Sequence, residues 1–430
     1  MRTRTPTSTT FSPVTERAPA DWTRSGPTLD AIEAARGIVK DVIKVTPMES
    51  SRVLSEHLGT PVHLKLETLQ RTGSYKIRGA YHRISKLTPA ERARGVVAAS
   101  AGNHAQGVAL AARELGIEAT IFMPVAAALP KLQATRDYDA SVVLRGHTVD
   151  EPLRAAAEYA EQTGAVFIPP FDHEDIITGQ ATLGLEILDQ VPDAATIVVP
   201  VGGGGLIAGV ASAVKQVAEQ QGRVIRVVGV QSENAAAYVA SLEAGAPVSI
   251  RSTPTIADGI AVGRPGDLNF ALVRELVDDI VTVSDDDTSR ALILLLERAK
   301  LVVEPAGAVA VAAILTGQVA STGPTVAILS GGNIDPLVME RVIAKGLAAS
   351  DRFLKLRIRL PDRPGQLARI SALIAEVNAN VIEVMHTRHG KGALLNDVEL
   401  EVSLETRGPD HVQLVLERLR DAEYDPRIDF

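Results

Sequence analysis

Between residues 62 and 348, short β-branched runs alternate with longer amphipathic ones, and this alternation constrains the fold more than any other feature. Apolar runs fall at 62–66, 96–99, 119–123, 141–144, 195–201, 225–230, 280–283 and 325–329, with helix-like segments such as 105–115, 151–163 and 206–221 between them. Strand, loop, helix, strand is the signature of parallel sheets covered on both faces. Only 3% of the 430 residues are aromatic, while Ala, Val, Leu, Ile and Gly dominate, which favours α/β layers over an all-β sandwich. Ligands of such sheets bind at the carboxyl ends of strands, where loops lead into helices.

The pattern changes at Phe353. Residues 353–360 alternate like a strand, 365–377 like a helix, 380–388 and 394–404 like strands again. A helix at 410–419 and a short strand after Tyr424 complete the order βαββαβ. That order predicts a four-stranded antiparallel sheet with two helices on one face. The chain therefore divides into a tail at 1–27, a body at 28–350 and a small unit at 353–430. A smaller subdomain of the body is expected at roughly 75–170. The tail is rich in Thr, Ser, Pro and Arg without apolar periodicity, and is expected to be disordered.

Composition excludes several function classes. The net charge of −8, without a basic stripe, argues against a nucleic-acid partner. The absence of Cys rules out disulfides, thiolate metal sites and a thiol nucleophile. No apolar stretch of about 18 residues exists, so no membrane span is expected. The N-terminus lacks the apolar core of a secretory signal, which leaves the cytoplasm as the default.

Four loops carry the chemistry. In Ser74-Tyr75-Lys76-Ile77-Arg78-Gly79-Ala80 a lysine opens a helix. It is either an ordinary solvated residue or an imine-forming nucleophile whose ammonium the helix N-terminus disfavours. Ser100-Ala101-Gly102-Asn103-His104-Ala105-Gln106-Gly107 follows the strand ending at Ala99. Its hydroxyl and free amides suit a substrate carboxylate, though a capped βα turn would look similar. Gly202-Gly203-Gly204-Gly205-Leu206 lets backbone amides wrap a phosphate. It lacks the Lys and Ser/Thr of a nucleoside-triphosphate loop and the spacing of a dinucleotide fingerprint, so a small phosphorylated cofactor fits better. Ser330-Gly331-Gly332-Asn333 again follows an apolar run, and a Ser there can bond a heterocyclic nitrogen.

Together these motifs resemble the fold-type-II pyridoxal-phosphate enzymes, specifically the threonine ammonia-lyase (threonine dehydratase) family. The segments 255–262, Thr-Ile-Ala-Asp-Gly-Ile-Ala-Val, and 304–308, Glu-Pro-Ala-Gly-Ala, match as well, and the likeness runs from about Thr28 to Ala348 in the right order. The resemblance implies two αβα subdomains with mostly parallel sheets. It makes Lys76 the cofactor lysine, with Tyr75 where Phe is commoner, and gives the phosphate to Gly202, Gly203, Gly204, Gly205 and Leu206. Asn103 would bond the ring hydroxyl and Ser330 the pyridine nitrogen, while Ser100, Ala101, Gly102, Asn103 and His104 would meet the substrate. A neutral Ser at that nitrogen makes a shallower electron sink than an Asp would, which favours β-elimination over transamination. Lys76, released by the substrate, would take the α-proton as base.

Two features depart from relatives that racemise serine. Those carry a second Ser where this chain has Ala101, so racemisation should be poor. They also bind a divalent cation after the strand corresponding to 227–230, where this chain has Gln231, Ala235 and Ala237, with Glu233 nearby. No metal site is expected.

Residues 353–430 resemble an ACT domain, a βαββαβ module that binds amino acids at subunit interfaces. Its motif is Pro361-Asp362-Arg363-Pro364-Gly365-Gln366-Leu367, where a turn exposes helix N-terminal amides to a carboxylate, and Asn380 could bond the same ligand. A purely structural role in dimerisation is the alternative. The resemblance implies isoleucine as effector, with valine opposing it, and a homo-oligomer, dimer or tetramer, in which two subunits complete the site. Rival readings are a serine dehydratase or a cysteine-forming synthase of the same fold, and a catalytically silent amino-acid sensor. Intact Lys76, the glycine loop and Ser330 argue against the last.

Overall fold

The computed structural model describes residues 22–23, 26–148, 150–387 and 397–429. Residues 1–21 of the expected tail lie outside them, as do Arg388 and residues 394–396 of the expected ACT strands.

Two parallel sheets form the body. The larger has the strand order Asp279–Val283, Arg226–Ser232, Thr196–Pro200, Thr325–Leu329, Val62–Leu66 and Met48–Ser50. Every neighbouring pair is parallel except the last. The central strands Thr196–Pro200 and Thr325–Leu329 are buried at every residue, as expected of a sheet covered on both faces. Helix Pro305–Leu315, built almost wholly of Ala, Val and Gly, is enclosed on nearly all sides, and only small side chains allow that close approach.

The smaller sheet runs Ser141–Leu144, Ala119–Met123, Val96–Ala99 and Val166–Phe167, all parallel. Helices Lys76–Ser85 and Asn103–Glu114 pack over it. All eight apolar runs identified from the sequence form strands. Met48–Ser50 and Val166–Phe167 are additional, and at three and two residues are too short to show a period. The end of the segment expected to be disordered is also built into the body. Trp22–Thr23 pairs with Gly26–Pro27, and both Gly26 and Pro27 are buried.

The third sheet, Asn380–Thr387, Asp397–Glu405, Phe353–Pro361 and Pro426–Ile428, is antiparallel throughout. Leu354, Leu356, Ile358 and Leu360 face the core formed with helices Gln366–Glu376 and Pro409–Asp421, while Lys355, Arg357 and Arg359 face outward. Helix Pro336–Ala349 connects this unit to the central strand Thr325–Leu329. No helix among the described residues is long and apolar enough to cross a membrane.

Candidate active site

Loops leaving the carboxyl ends of strands in both sheets converge. Segment 330–333 lies antiparallel to the lysine loop: the Tyr75 amide donates to the Ser330 carbonyl at 3.1 Å, and the Gly332 amide to the Gly73 carbonyl at 2.8 Å. Helix Lys76–Ser85 begins at the lysine itself. The Lys76 Nζ donates to the Pro170 carbonyl at 2.9 Å and stands 5.3 Å from the centre of the Tyr75 ring. Burial draws the Lys76 ammonium down to about 8, while the neighbouring Glu304 carboxyl pulls it back up. The sequence points only to the helix N-terminus as the cause of the depression, because the enclosure depends on distant segments. Burial also raises the Tyr75 phenol.

Glu304 caps helix Pro305–Leu315 and is only 4% exposed. Its Oε1 accepts from Asn103 Nδ2 at 2.6 Å. Burial first, and the Asp258 charge second, push its carboxyl up to about 7, against Lys131, the Asn103 bond and Lys76. The sequence marked Glu304 only as part of a motif. A carboxylate immediately before the apolar run that opens at Pro305 was the one available signal.

In the Ser100 loop, Ser100 Oγ accepts from the Gly102 amide at 3.1 Å. Asn103 joins Glu304 on one side and Asn333 on the other, where its Oδ1 accepts from Asn333 Nδ2 at 2.8 Å. His104 turns its ring to the Ile168 carbonyl, 2.9 Å from Nε2. Burial and the nearby Lys76 charge lower it to about 3, so the ring is neutral and donates Nε2–H. The amides of Ala101, Asn103 and His104 bond no acceptor among the described residues.

The glycine loop opens helix Gly205–Gln220. The Gly203 carbonyl accepts from the Tyr238 hydroxyl at 3.2 Å, Asn269 Nδ2 at 3.0 Å and the Gly266 amide at 3.2 Å. With the carbonyl so engaged, the amides of Gly203, Gly204, Gly205 and Leu206 find no acceptor among the described residues. Gly204 has φ +99°, and a side chain there would run into the Tyr238 hydroxyl. The Phe171 ring packs against Gly203 and its Cβ and backbone against Gly205, so the residue after the Lys76 acceptor also floors the glycine loop.

Behind the predicted metal-free stretch, Gln231 donates weakly to the Val201 and Ala235 carbonyls and accepts from the Tyr238 amide at 2.9 Å. In the small C-terminal unit, Gly365 has φ +90° and caps helix Gln366–Glu376. Gln366 accepts from the Tyr424 hydroxyl at 2.9 Å, and Asn380 Nδ2 lies 3.5 Å from Glu405 Oε2. Asp362, Pro364 and Gly365 are exposed in the turn and Leu367 is 39% exposed.

Residues 39–331 match the family model described as pyridoxal-phosphate dependent enzyme, and residues 355–424 the ACT domain. The L-threonine ammonia-lyase of Thermotoga maritima is 46% identical over 401 residues, 93% of this chain and 99% of that one. The chain belongs to the threonine ammonia-lyase family of pyridoxal-phosphate-dependent enzymes. Among solved structures of this fold, the processed form of threonine deaminase isoform 2 from Solanum lycopersicum is 38% identical, with TM-score 0.69 over 75% of this chain and 95% of that one. Maize serine racemase is 35% identical, with TM-score 0.69 over 74% and 98%.

The residues present fit the family's cofactor. Four unengaged amides at a helix N-terminus match a phosphate dianion, and the glycines leave the surface free of side chains. The Ser330 hydroxyl, 4% exposed as a residue, bonds no partner among the described residues. Ser74 Oγ is buried and likewise unpartnered.

Proposed function

We propose that the protein converts L-threonine to 2-oxobutanoate and ammonia and also accepts L-serine. The observation that carries this reading is a lysine amine brought to about 8 beside the Asn103–Glu304 pair, among loops that offer unengaged amides. Pyridoxal phosphate, when bound, supplies the sink for the electron pair left at Cα. Lys76 is the residue that would bind it covalently, with the amides of residues 203–206 on its phosphate, Ser330 on its ring nitrogen and Asn103 on its ring oxygen.

The protein's own groups do the rest. A neutral Lys76 Nζ takes the Cα proton. The amides of Ala101, Asn103 and His104, opening helix Asn103–Glu114, hold the substrate carboxylate. The neutral ring of His104 adds no competing charge beside Lys76. The β-hydroxyl leaves as water with a proton equivalent to the one Lys76 took from Cα, the released enamine takes water back on hydrolysis, and ammonia departs. The net reaction is threonine to 2-oxobutanoate plus ammonia.

Regulation by an amino acid, isoleucine in our reading, is assigned to the turn at 361–367 together with Asn380. Its Gly365-capped helix N-terminus supports carboxylate binding. A homo-oligomer, dimer or tetramer, acting in the cytoplasm completes the proposal.

The test is 2-oxobutanoate release from L-threonine by purified protein, with Lys76→Ala beside it and isoleucine titrated into the wild type. Ketoacid from the wild type and none from the variant supports the reading. A cofactor-loaded wild type that yields no ketoacid from threonine defeats it.

A further inference from the structure

Asn333 stands where three loops of the site cross. Its Nδ2 donates to the Thr72 carbonyl at 2.7 Å and to Asn103 Oδ1 at 2.8 Å, with Gln106 Oε1 farther off at 3.3 Å. A primary amide has two N–H groups, so the two short bonds use both. Its oxygen lies over Gly73, whose φ of +68° and lack of a side chain make that approach possible.

This arrangement removes an ambiguity that an asparagine amide otherwise has. The Thr72 carbonyl cannot donate, so the nitrogen end of Asn333 must face it. That nitrogen also faces Asn103, which can meet it only with Oδ1. Asn103 Nδ2 is therefore turned the other way, toward Glu304, and one of its two hydrogens stays available for an oxygen in the cleft. Direction passes from a backbone carbonyl of the lysine loop, through Asn333, to the donor face of Asn103.

We propose that Asn333 is a positioning residue that locks the Asn103 amide with its NH2 group presented to the cofactor's ring oxygen. The inference rests on the functional reading above, in which Asn103 meets that oxygen. In this reading Asn333 acts on the cofactor through Asn103. Without its donor, only the Glu304 bond orients Asn103, and the hydrogen bond to the ring oxygen is made only part of the time.

The test is cofactor binding to the apo-protein, followed by fluorescence titration with pyridoxal phosphate, and the absorption spectrum of the bound cofactor across pH. Asn333→Asp keeps the shape but replaces the donor with an acceptor, so Asn103 should turn over to give it NH2. Asn333→Ala removes the amide altogether. Both should weaken cofactor binding about tenfold, the scale of one buried hydrogen bond, and shift the pH dependence of the absorption bands. Far-UV circular dichroism of the apo-proteins shows whether each variant is folded, and either folded variant suffices.

Asn103→Ala supplies the control that a general structural role would not satisfy. In that background Asn333→Asp should add no further loss, because the group it positions is gone. Wild-type affinity and spectrum in folded Asn333 variants, or losses that simply add, would overturn the inference. A wild-type protein that takes up no pyridoxal phosphate would overturn the functional reading and the inference with it.

Discussion

Arg78 and Glu67 form a wholly enclosed two-point ion pair two residues beyond Lys76, with Nε and Nη2 each 2.8 Å from a Glu67 carboxylate oxygen. Arg78 Nη2 also reaches Glu186 Oε2 at 2.9 Å, and Glu186 Oε1 accepts from Lys65 Nζ at 2.6 Å. Two cations thus balance two carboxylates between the lysine helix, the central-sheet strand Val62–Leu66 and helix Glu174–Gln190. Arg78→Met would leave two buried carboxylates against one lysine. We expect the apo-protein to lose about 3–5 kcal/mol of stability, read from urea denaturation. A loss below about 1 kcal/mol would show that the network relaxes or takes in water.

The Lys76 amine sets a second expectation. Its folded-state value of about 8 lies below the ordinary 10.5, so the neutral nucleophile is already substantial near neutrality. Cofactor uptake by the apo-protein should accelerate about tenfold per pH unit at low pH and flatten above about 8, when followed by stopped-flow absorbance. A rate still climbing steeply past pH 9.5 would place the amine in an ordinary solvated setting.

Glu304 gives a stability effect of definite sign. Its carboxyl rises from 4.5 to about 7 on folding, so its protonated form favours the folded state. That contribution is full below 4.5 and is lost as pH rises through about 7. Glu304→Gln keeps the oxygen that Asn103 needs and cannot ionise. The variant should be more stable than wild-type apo-protein at pH 8, by an amount on the order of 1–3 kcal/mol, and the difference should shrink toward pH 5. Thermal midpoints of both proteins across that range decide it, and a difference independent of pH counts against the buried carboxylate.

At Gly204, backbone and packing agree. With φ at +99° and the Tyr238 hydroxyl in the way, Gly204→Ala strains the loop and displaces Tyr238 from the Gly203 carbonyl. Strain of about 1–3 kcal/mol corresponds to a rise of about 5- to 150-fold in the dissociation constant of pyridoxal phosphate, measured by titration of the apo-protein. Gly222→Ala is the comparison: its φ is also positive, but open space surrounds it and it lies at the far end of the helix. Cofactor affinity there should stay at the wild-type value.

Much of this was legible along the chain. The long strands and helices announced themselves because hydrophobic periodicity is local, and the glycine loop because only glycine tolerates that backbone. The edge strand Val166–Phe167 did not, since two residues carry no period. Yet this strand leads to Pro170 and Phe171, which supply the acceptor for Lys76 and the floor of the glycine loop. His104 was legible as a residue of the loop, while its neutral, buried ring bonded to Ile168 was not.

The order of elements, the change of architecture at Phe353 and the four loops that could carry chemistry can all be read along the chain. Each is written in neighbouring residues, through side-chain period, turn chemistry and the absence of side chains where backbone must be bare. Which groups meet, and what state they hold, depends on how the chain packs. Asn103 and Glu304 are 201 positions apart, and Asn333 lies 230 from Asn103. The amine near 8, the carboxyl near 7 and the locked asparagine amide all arise from desolvation and contact between such distant segments, which depend on how the chain packs rather than on any local run of residues.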